Sequence, residues 1–168
     1  TLVCAIEHTI KQIEGSDVPE NLITQVRPIA GDLKDVGGGY LDTKYVRLKY
    51  SDLEQDKGKE GLRIELNGGF YGTPKRKQKA VIEFLCDPDR TGRETDLDPE
   101  DKYEGAEENP PKGDPSLKIV SHEIEAPGTE VDILRLKWYT KEACENQKDE
   151  DDAAKSGHWG FFTWFLIV

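Results

Sequence analysis

The residues with chemistry to offer are few: Cys4, Cys86 and Cys144, then His8, His122 and His158, and the basic run Lys75-Arg76-Lys77-Gln78-Lys79. Thiols form disulfides, bind zinc or act as nucleophiles, and spacing chooses among these fates. No C-x-x-C pair occurs, and the histidines supply no matching ligand spacing, so no metal site is expected. An odd cysteine count fits one bridge plus a half-bridge in a secreted domain, or three free thiols in the cytosol. The spacing leaves both open. His122 beside Glu123 offers an acid–base pair, but no nucleophile or oxyanion donor can be named with it, so a surface strand pair is expected. Gly37-Gly38-Gly39 lacks a following Lys-Ser or Lys-Thr and opens into a strand, so it reads as a turn and not as a phosphate loop. The basic run is the one local excess of positive charge. Lys75, Arg76, Lys77 and Lys79 could hold phosphate on a glycan or an inositol lipid. The preferred reading is a hairpin connection whose lysines guard the neighbouring apolar strand. No Gly-x-Ser-x-Gly, metal-binding His pair or kinase-type signature is present, so neither enzymatic activity nor a cofactor is expected.

Positioning these residues falls to strands. Apolar residues alternate along most of the chain instead of recurring every three or four positions. Val46, Leu48 and Tyr50 face one way between Arg47 and Lys49, and Leu62, Ile64 and Leu66 alternate with Arg63, Glu65 and Asn67. Residues 80–86 are apolar on both sides, as in a strand between two layers. Leu134, Leu136 and Trp138 repeat the alternation, and residues 2–7, 22–29 and 117–124 are shorter candidates. Gly15, Pro19, Gly37 to Gly39, Gly68-Gly69 and Gly72 punctuate them. Seven strands at this spacing predict an all-β flattened barrel or sandwich.

The 168 residues allow one domain, and 34 acidic against 23 basic side chains leave a net charge of −11. Such a surface repels phosphate at long range, which argues against nucleic acid as a partner. The charge is concentrated. Residues 87–114 hold 11 acids, 4 bases and four prolines, and read as a disordered or loosely held acidic insertion. Residues 145–158 continue the acidic bias as a solvated stalk. The chain then turns apolar over residues 159–168, with two Trp and three Phe. A span needs about 20 apolar residues, so this stretch reads as the start of a transmembrane helix, with aromatics at the water–lipid boundary. Its acidic flank places the domain on the non-cytoplasmic side, because cytoplasmic flanks favour Lys and Arg. Methionine is absent and residue 1 is Thr, so the chain reads as an excised piece.

Two strings carry a resemblance. Leu62-Arg63-Ile64-Glu65-Leu66-Asn67-Gly68-Gly69, a basic turn, and residues 79–86 followed by Asp87 resemble the mannose 6-phosphate receptor homology fold. Residues 134–144, with an aromatic-x-Thr-x-x-Ala-Cys ending, resemble its closing strand. Together with the acidic insertion and His158-Trp159-Gly160-Phe161-Phe162-Thr163-Trp164-Phe165, the chain is similar to the autophagy-related protein 27 family over residues 1–168. That resemblance implies a lumenal receptor-homology domain over residues 1–144, incomplete at its N-terminus, in a type I membrane protein. It implies a Cys86–Cys144 bridge, contributing roughly 4 kcal/mol in the chain-entropy model, and a partner for Cys4 upstream of Thr1. It further implies a role in autophagy and vesicle traffic: assisting retrieval of membrane and autophagy proteins to the site of autophagosome formation. The expected partners are autophagy and sorting membrane proteins, with a link to phosphatidylinositol 3-phosphate signalling. Expected locations are Golgi, endosomal, vacuolar and mitochondrial membranes and the preautophagosomal structure.

Sugar-binding members of the fold use Gln, Arg, Glu and Tyr around one mannose. The corresponding positions here are Gln25, Gln78, Glu123 with an offset of one, and Leu134. Arg and Tyr are lost, and Asp132 replaces a cysteine common beside that Tyr. A site built on hydroxyl contacts weakens steeply when a polar partner is missing. The four positions therefore read as vestigial, and a cargo lectin for mannose or mannose 6-phosphate glycans is the second expectation.

Overall fold

A computed structural model of the chain describes residues 1–17, 20–96 and 112–145. These form an all-β sheet of seven strands: β1 (Val3–Lys11), β2 (Glu20–Ala30), β3 (Lys44–Arg47), β4 (Gly61–Tyr71), β5 (Arg76–Cys86), β6 (Leu117–Ile124) and β7 (Val131–Thr140). Helix is limited to short 3-10 turns among the described residues. The strand order is β1-β2-β4-β5-β7-β6, with β3 on β4, and the sheet curls into half a barrel, consistent with a flattened barrel. Neighbours are antiparallel except β5 and β7, which run parallel from Lys77 and Val131 to Cys86 and Thr140.

Alternation sets the faces. Gln78, Ala80, Ile82 and Phe84 on β5 share the concave face with Ile64 and Leu66 of β4 and Leu134, Leu136 and Trp138 of β7, their register partners. Ile29, Ile64, Leu66, Ala80, Ile82, Phe84 and Leu134 form the core, and Phe84 stacks on Trp138 with ring centroids 5.4 Å apart. Truncating a fully buried Phe of this kind to Ala costs about 3–5 kcal/mol. The convex face is held differently. Arg63 donates to both carboxylate oxygens of buried Asp56, at 2.9 and 2.5 Å, and to Glu83 at 3.0 Å, fastening the segment before β4 onto the sheet.

Three expectations change. The strand expected through Tyr50 stops at Arg47, and residues 48–50 turn, burying Leu48 while Val46 and Tyr50 stay outside. Gly68-Gly69 is not a boundary: β4 continues through it to Tyr71 with a register shift. A side chain at Gly68 would strike the Gly31 carbonyl, and one at Gly69 the Pro28 and Ile29 carbonyls, so these glycines let β2 cross close over β4.

The third change concerns the acidic insertion, whose flanks are specifically held; residues 97–111 lie outside the described residues. Trp138 Nε1 donates to the Gly92 carbonyl at 2.7 Å, and Thr140 Oγ1 to that of Thr91 at 3.2 Å. Glu94 accepts from the Thr91 and Gly92 amides, from Thr91 Oγ1 and from Ser116 Oγ, and Arg90 pairs with Asp114 at 2.6 Å. Polar composition pointed to loose chain, but these side chains and amides close a hydrogen-bonded collar on β7. The Cys86–Cys144 disulfide is formed, with Cα atoms 4.5 Å apart, joining the end of β5 to the turn after β7. Cys4 is half-buried and free. The stalk from 146 and the aromatic segment 159–168 lie outside the described residues. Among the described residues no helix is long and apolar enough to cross a membrane.

Candidate functional site

The concave face changes character along β5. Phe84, Ile82 and Ala80 are apolar, whereas Gln78 and Arg76 continue the same face at the other end. Two-residue spacing makes this automatic. Register then brings polar neighbours to the same end: Tyr71 lies opposite Arg76, Asp132 beside Gln78, and His122 opposite Leu134. On β2, Gln25 and Arg27 share a face with core residue Ile29, so they point inward as well.

The result is a band of polar groups bonded to one another. Gln78 is 3% exposed; its Nε2 donates to Asp132 at 2.8 Å, and its Oε1 lies 3.2 Å from His122 Nε2. Asp132 accepts only, so it fixes the amide orientation, and His122 must donate through Nε2. Asp132 also accepts from Arg76 at 2.8 and 3.1 Å. Those Arg76 bonds hold its carboxyl below the usual range, outweighing the opposing effect of burial, and Gln78 adds to them. Beside this group, Gln25 donates to the Tyr71 hydroxyl while its Oε1 accepts from Arg27 at 2.7 and 3.0 Å. The Arg27 guanidinium lies 4.7 Å from the Tyr71 ring centroid, within cation–π range.

Of the four sugar-site positions, Gln25, Gln78 and Leu134 face inward. Glu123 does not: it lies opposite Ile133, one residue out of phase with Leu134, so it points to the convex face and His122 takes the inward place. Leu134 is buried floor, without a hydroxyl. The same one-residue phase separates His122 from Glu123 and removes them as an acid–base pair. Nor does the basic run converge. Its turn is Gly72 to Lys75, and the rest belongs to β5. Lys75 reaches the Gly37 carbonyl at 3.4 Å, Arg76 turns inward to Asp132, Lys77 is exposed, and Lys79 pairs with Glu125 at 2.5 Å and Glu65 at 3.7 Å. The Gly37 to Gly39 segment is a turn, with the Gly38 and Gly39 amides donating to the carbonyls of Leu33 and Gly68. No group of three or more His, Cys, Asp or Glu is placed to hold a metal ion among the described residues.

Sequence reasoning missed Arg27 and Tyr71, and read Arg76 as part of a turn. The signal was available in phase: Arg27 follows Gln25 by two, and Arg76 precedes Gln78 by two. Tyr71 could be found only by extending β4 through its two glycines. Chemically, the band can hydrogen-bond a neutral or anionic ligand through the Tyr71 hydroxyl hydrogen and the remaining guanidinium N–H groups, and elsewhere by displacing bonds it already makes.

The sequence matches the family described as Autophagy-related protein 27 over residues 1–168. It is 36% identical over 200 residues to the Autophagy-related protein 27 of Gibberella zeae, covering 100% of this chain and 57% of that protein. It is 34% identical over 193 residues to the protein of the same name from Arthroderma benhamiae, covering 99% of this chain and 57% of the relative. The chain thus spans just over half the length of these curated relatives. No solved structure matches it.

Proposed function

The chain belongs to the autophagy-related protein 27 family, and from that premise we propose that it forms the lumenal domain of a non-enzymatic, single-pass membrane protein of autophagy and vesicle traffic. The full protein assists retrieval of membrane and of autophagy membrane proteins to the site of autophagosome formation. It cycles among Golgi, endosomal, vacuolar and mitochondrial membranes and the preautophagosomal structure, with an indirect link to phosphatidylinositol 3-phosphate signalling. The observation that carries this reading is the family match along the whole chain. The disulfide agrees with an oxidising lumen, since such bonds persist there and are rare in the cytosol.

The test is genetic and topological. In cells lacking the gene, the full-length protein restores autophagic flux, and protease added to intact vesicles leaves the β domain protected. Normal flux in the deletion strain, or a β domain digested from outside, overturns the reading.

A lectin remains the second reading, favoured by Gln25 and Gln78 sharing the concave face. Calorimetric titration of the disulfide-bonded protein with mannose and mannose 6-phosphate glycans decides it. Silence at neutral and mildly acidic pH is the expected result. Saturable heat that disappears in Gln25→Ala makes the protein a cargo lectin.

A further inference from the structure

Arg27 is the exception among the half-buried arginines. Arg63 pairs with Asp56 and Glu83, Arg76 with Asp132, and Arg90 with Asp87 and Asp114. With 34 acidic side chains in the sequence that is the ordinary outcome, because a guanidinium drawn out of water needs a counter-charge. Arg27 meets two neutral groups instead. Its Nε and Nη2 donate to Gln25 Oε1 at 3.0 and 2.7 Å and its guanidinium lies 4.7 Å from the Tyr71 ring centroid, while no carboxylate among the described residues pairs with it.

We propose that Arg27, with Tyr71 beside it, anchors a site on the concave face for the carboxylate of a peptide. The anchor is fixed in advance. One amide holds both groups, since Gln25 Oε1 accepts from Arg27 and Gln25 Nε2 donates to the Tyr71 hydroxyl, so guanidinium and hydroxyl lie within reach of a single ligand group. Both keep donors for it. Arg27 Nη1 makes no bond among the described residues, and the Tyr71 hydroxyl, which accepts from Gln25, still has its hydrogen to give. The acceptors nearby are spent: Gln25 Oε1 takes two bonds from Arg27, and both Asp132 oxygens are taken by Arg76 and Gln78. Such a face suits a ligand that only accepts, whereas sugar hydroxyls also need acceptors for their hydrogens. Charge favours a monoanion. Asp132 and the exposed Glu7, which stands opposite Gln25 on β1, share the face, so a doubly charged phosphate meets more repulsion than a carboxylate. Across the band, Ile124 lies opposite Asp132 and is 54% exposed, an apolar contact for a ligand long enough to cross several strands, as a peptide is.

The test uses the full-length protein in neutral detergent. Saturation-transfer NMR reads the probe acetyl-Ser-Ile-Ser-Asp-Ser-Ile-Ser-amide and its Asn counterpart, beside acetate, inorganic phosphate and mannose. The Asp probe is expected to saturate and the Asn probe to give no saturable signal. Arg27→Gln is expected to weaken the Asp probe about tenfold, the scale of one charge-assisted hydrogen bond. Tyr71→Phe keeps the ring under the guanidinium and removes only the hydroxyl, so it folds and weakens the probe less. Glu7→Gln removes a like charge at an exposed position and is expected to tighten binding, and Lys77→Ala, which removes a positive charge from the opposite face, to leave it unchanged. Circular dichroism and the intact disulfide establish folding of each variant. A wild type that binds the Asp and Asn probes alike, or folded Arg27→Gln and Tyr71→Phe variants that bind as the wild type does, overturns the proposal. Tighter binding of acetate or phosphate also overturns it and leaves a site for free anions; tighter binding of mannose gives the face to the lectin reading. Autophagic flux and topology are scored separately, so the peptide site and the membrane reading fail independently.

Discussion

Gln78 has both ends of its amide engaged, by His122 on β6 and by Asp132 on β7. A leucine there would match its bulk but bury no amide, leaving the half-buried Asp132 carboxylate and the His122 ring nitrogen each one partner short. Gln78→Leu is therefore expected to lower unfolding free energy by about 1–3 kcal/mol, the range for a buried polar group stripped of its partner. Urea denaturation measures it. Lys77→Ala, on the opposite face of the same strand and exposed, serves as the comparison and should stay within about 0.5 kcal/mol. Gln25 and Gln78 were legible through the family resemblance, and strand phase turns both inward. Glu123 was not, because β6 carries an irregularity between Ile119 and Ser121, and a single slipped residue reverses every side chain beyond it.

At the scale of elements, the collar at the root of the acidic insertion depends on Glu94. Burial alone would raise its carboxyl. Hydrogen bonds from the Ser116 hydroxyl and the Thr91 amide outweigh that and lower it to about 2. A folded value below the unfolded one means the ionised group adds stability above its ordinary value near 4.5, and that stability fades as pH falls toward 2. Glu94→Gln is thus expected to lose about 2 kcal/mol at neutral pH, the scale of a charge-assisted hydrogen bond, and to flatten the acid limb of the stability profile between those values. Thermal melts across pH 2 to 7 read both effects. At mildly acidic pH the carboxylate stays ionised and the collar stays closed. Composition concealed this element: the flanks are as polar as the segment between them, and only the third dimension shows that Trp138, Thr140 and Ser116 donate to them. The strands, by contrast, follow from alternation, and β6 keeps the expected bounds, Leu117–Ile124, although its alternation breaks at Val120.

For the whole molecule, the disulfide is a covalent cross-link in a sheet whose order, among the described residues, runs from β1 to β6. The double variant Cys86→Ala, Cys144→Ala is expected to lose roughly 4 kcal/mol, the loop-entropy estimate for a bridge between cysteines 58 positions apart. Comparing its melting temperature and urea midpoint with those of the wild type tests this. The all-β class was readable because its strands are amphipathic. Their order was not, because nothing local in residues 76–86 says that their second neighbour arrives from beyond a long excursion, and in parallel orientation.

That parallel pairing has a consequence for synthesis. A chain entering a compartment N-terminus first presents β4 and β5 while β7 is still behind it, so β5 waits with an apolar edge unpaired. Completion is deferred until residues 131–140 emerge, and long-range closure of this kind slows folding and lengthens exposure to aggregation and to chaperones. Yet lengthening the chain between the two held flanks of the insertion would cost little, since doubling a connecting loop adds only about 0.6 kcal/mol. Timing, more than stability, is what a longer or shorter insertion would alter.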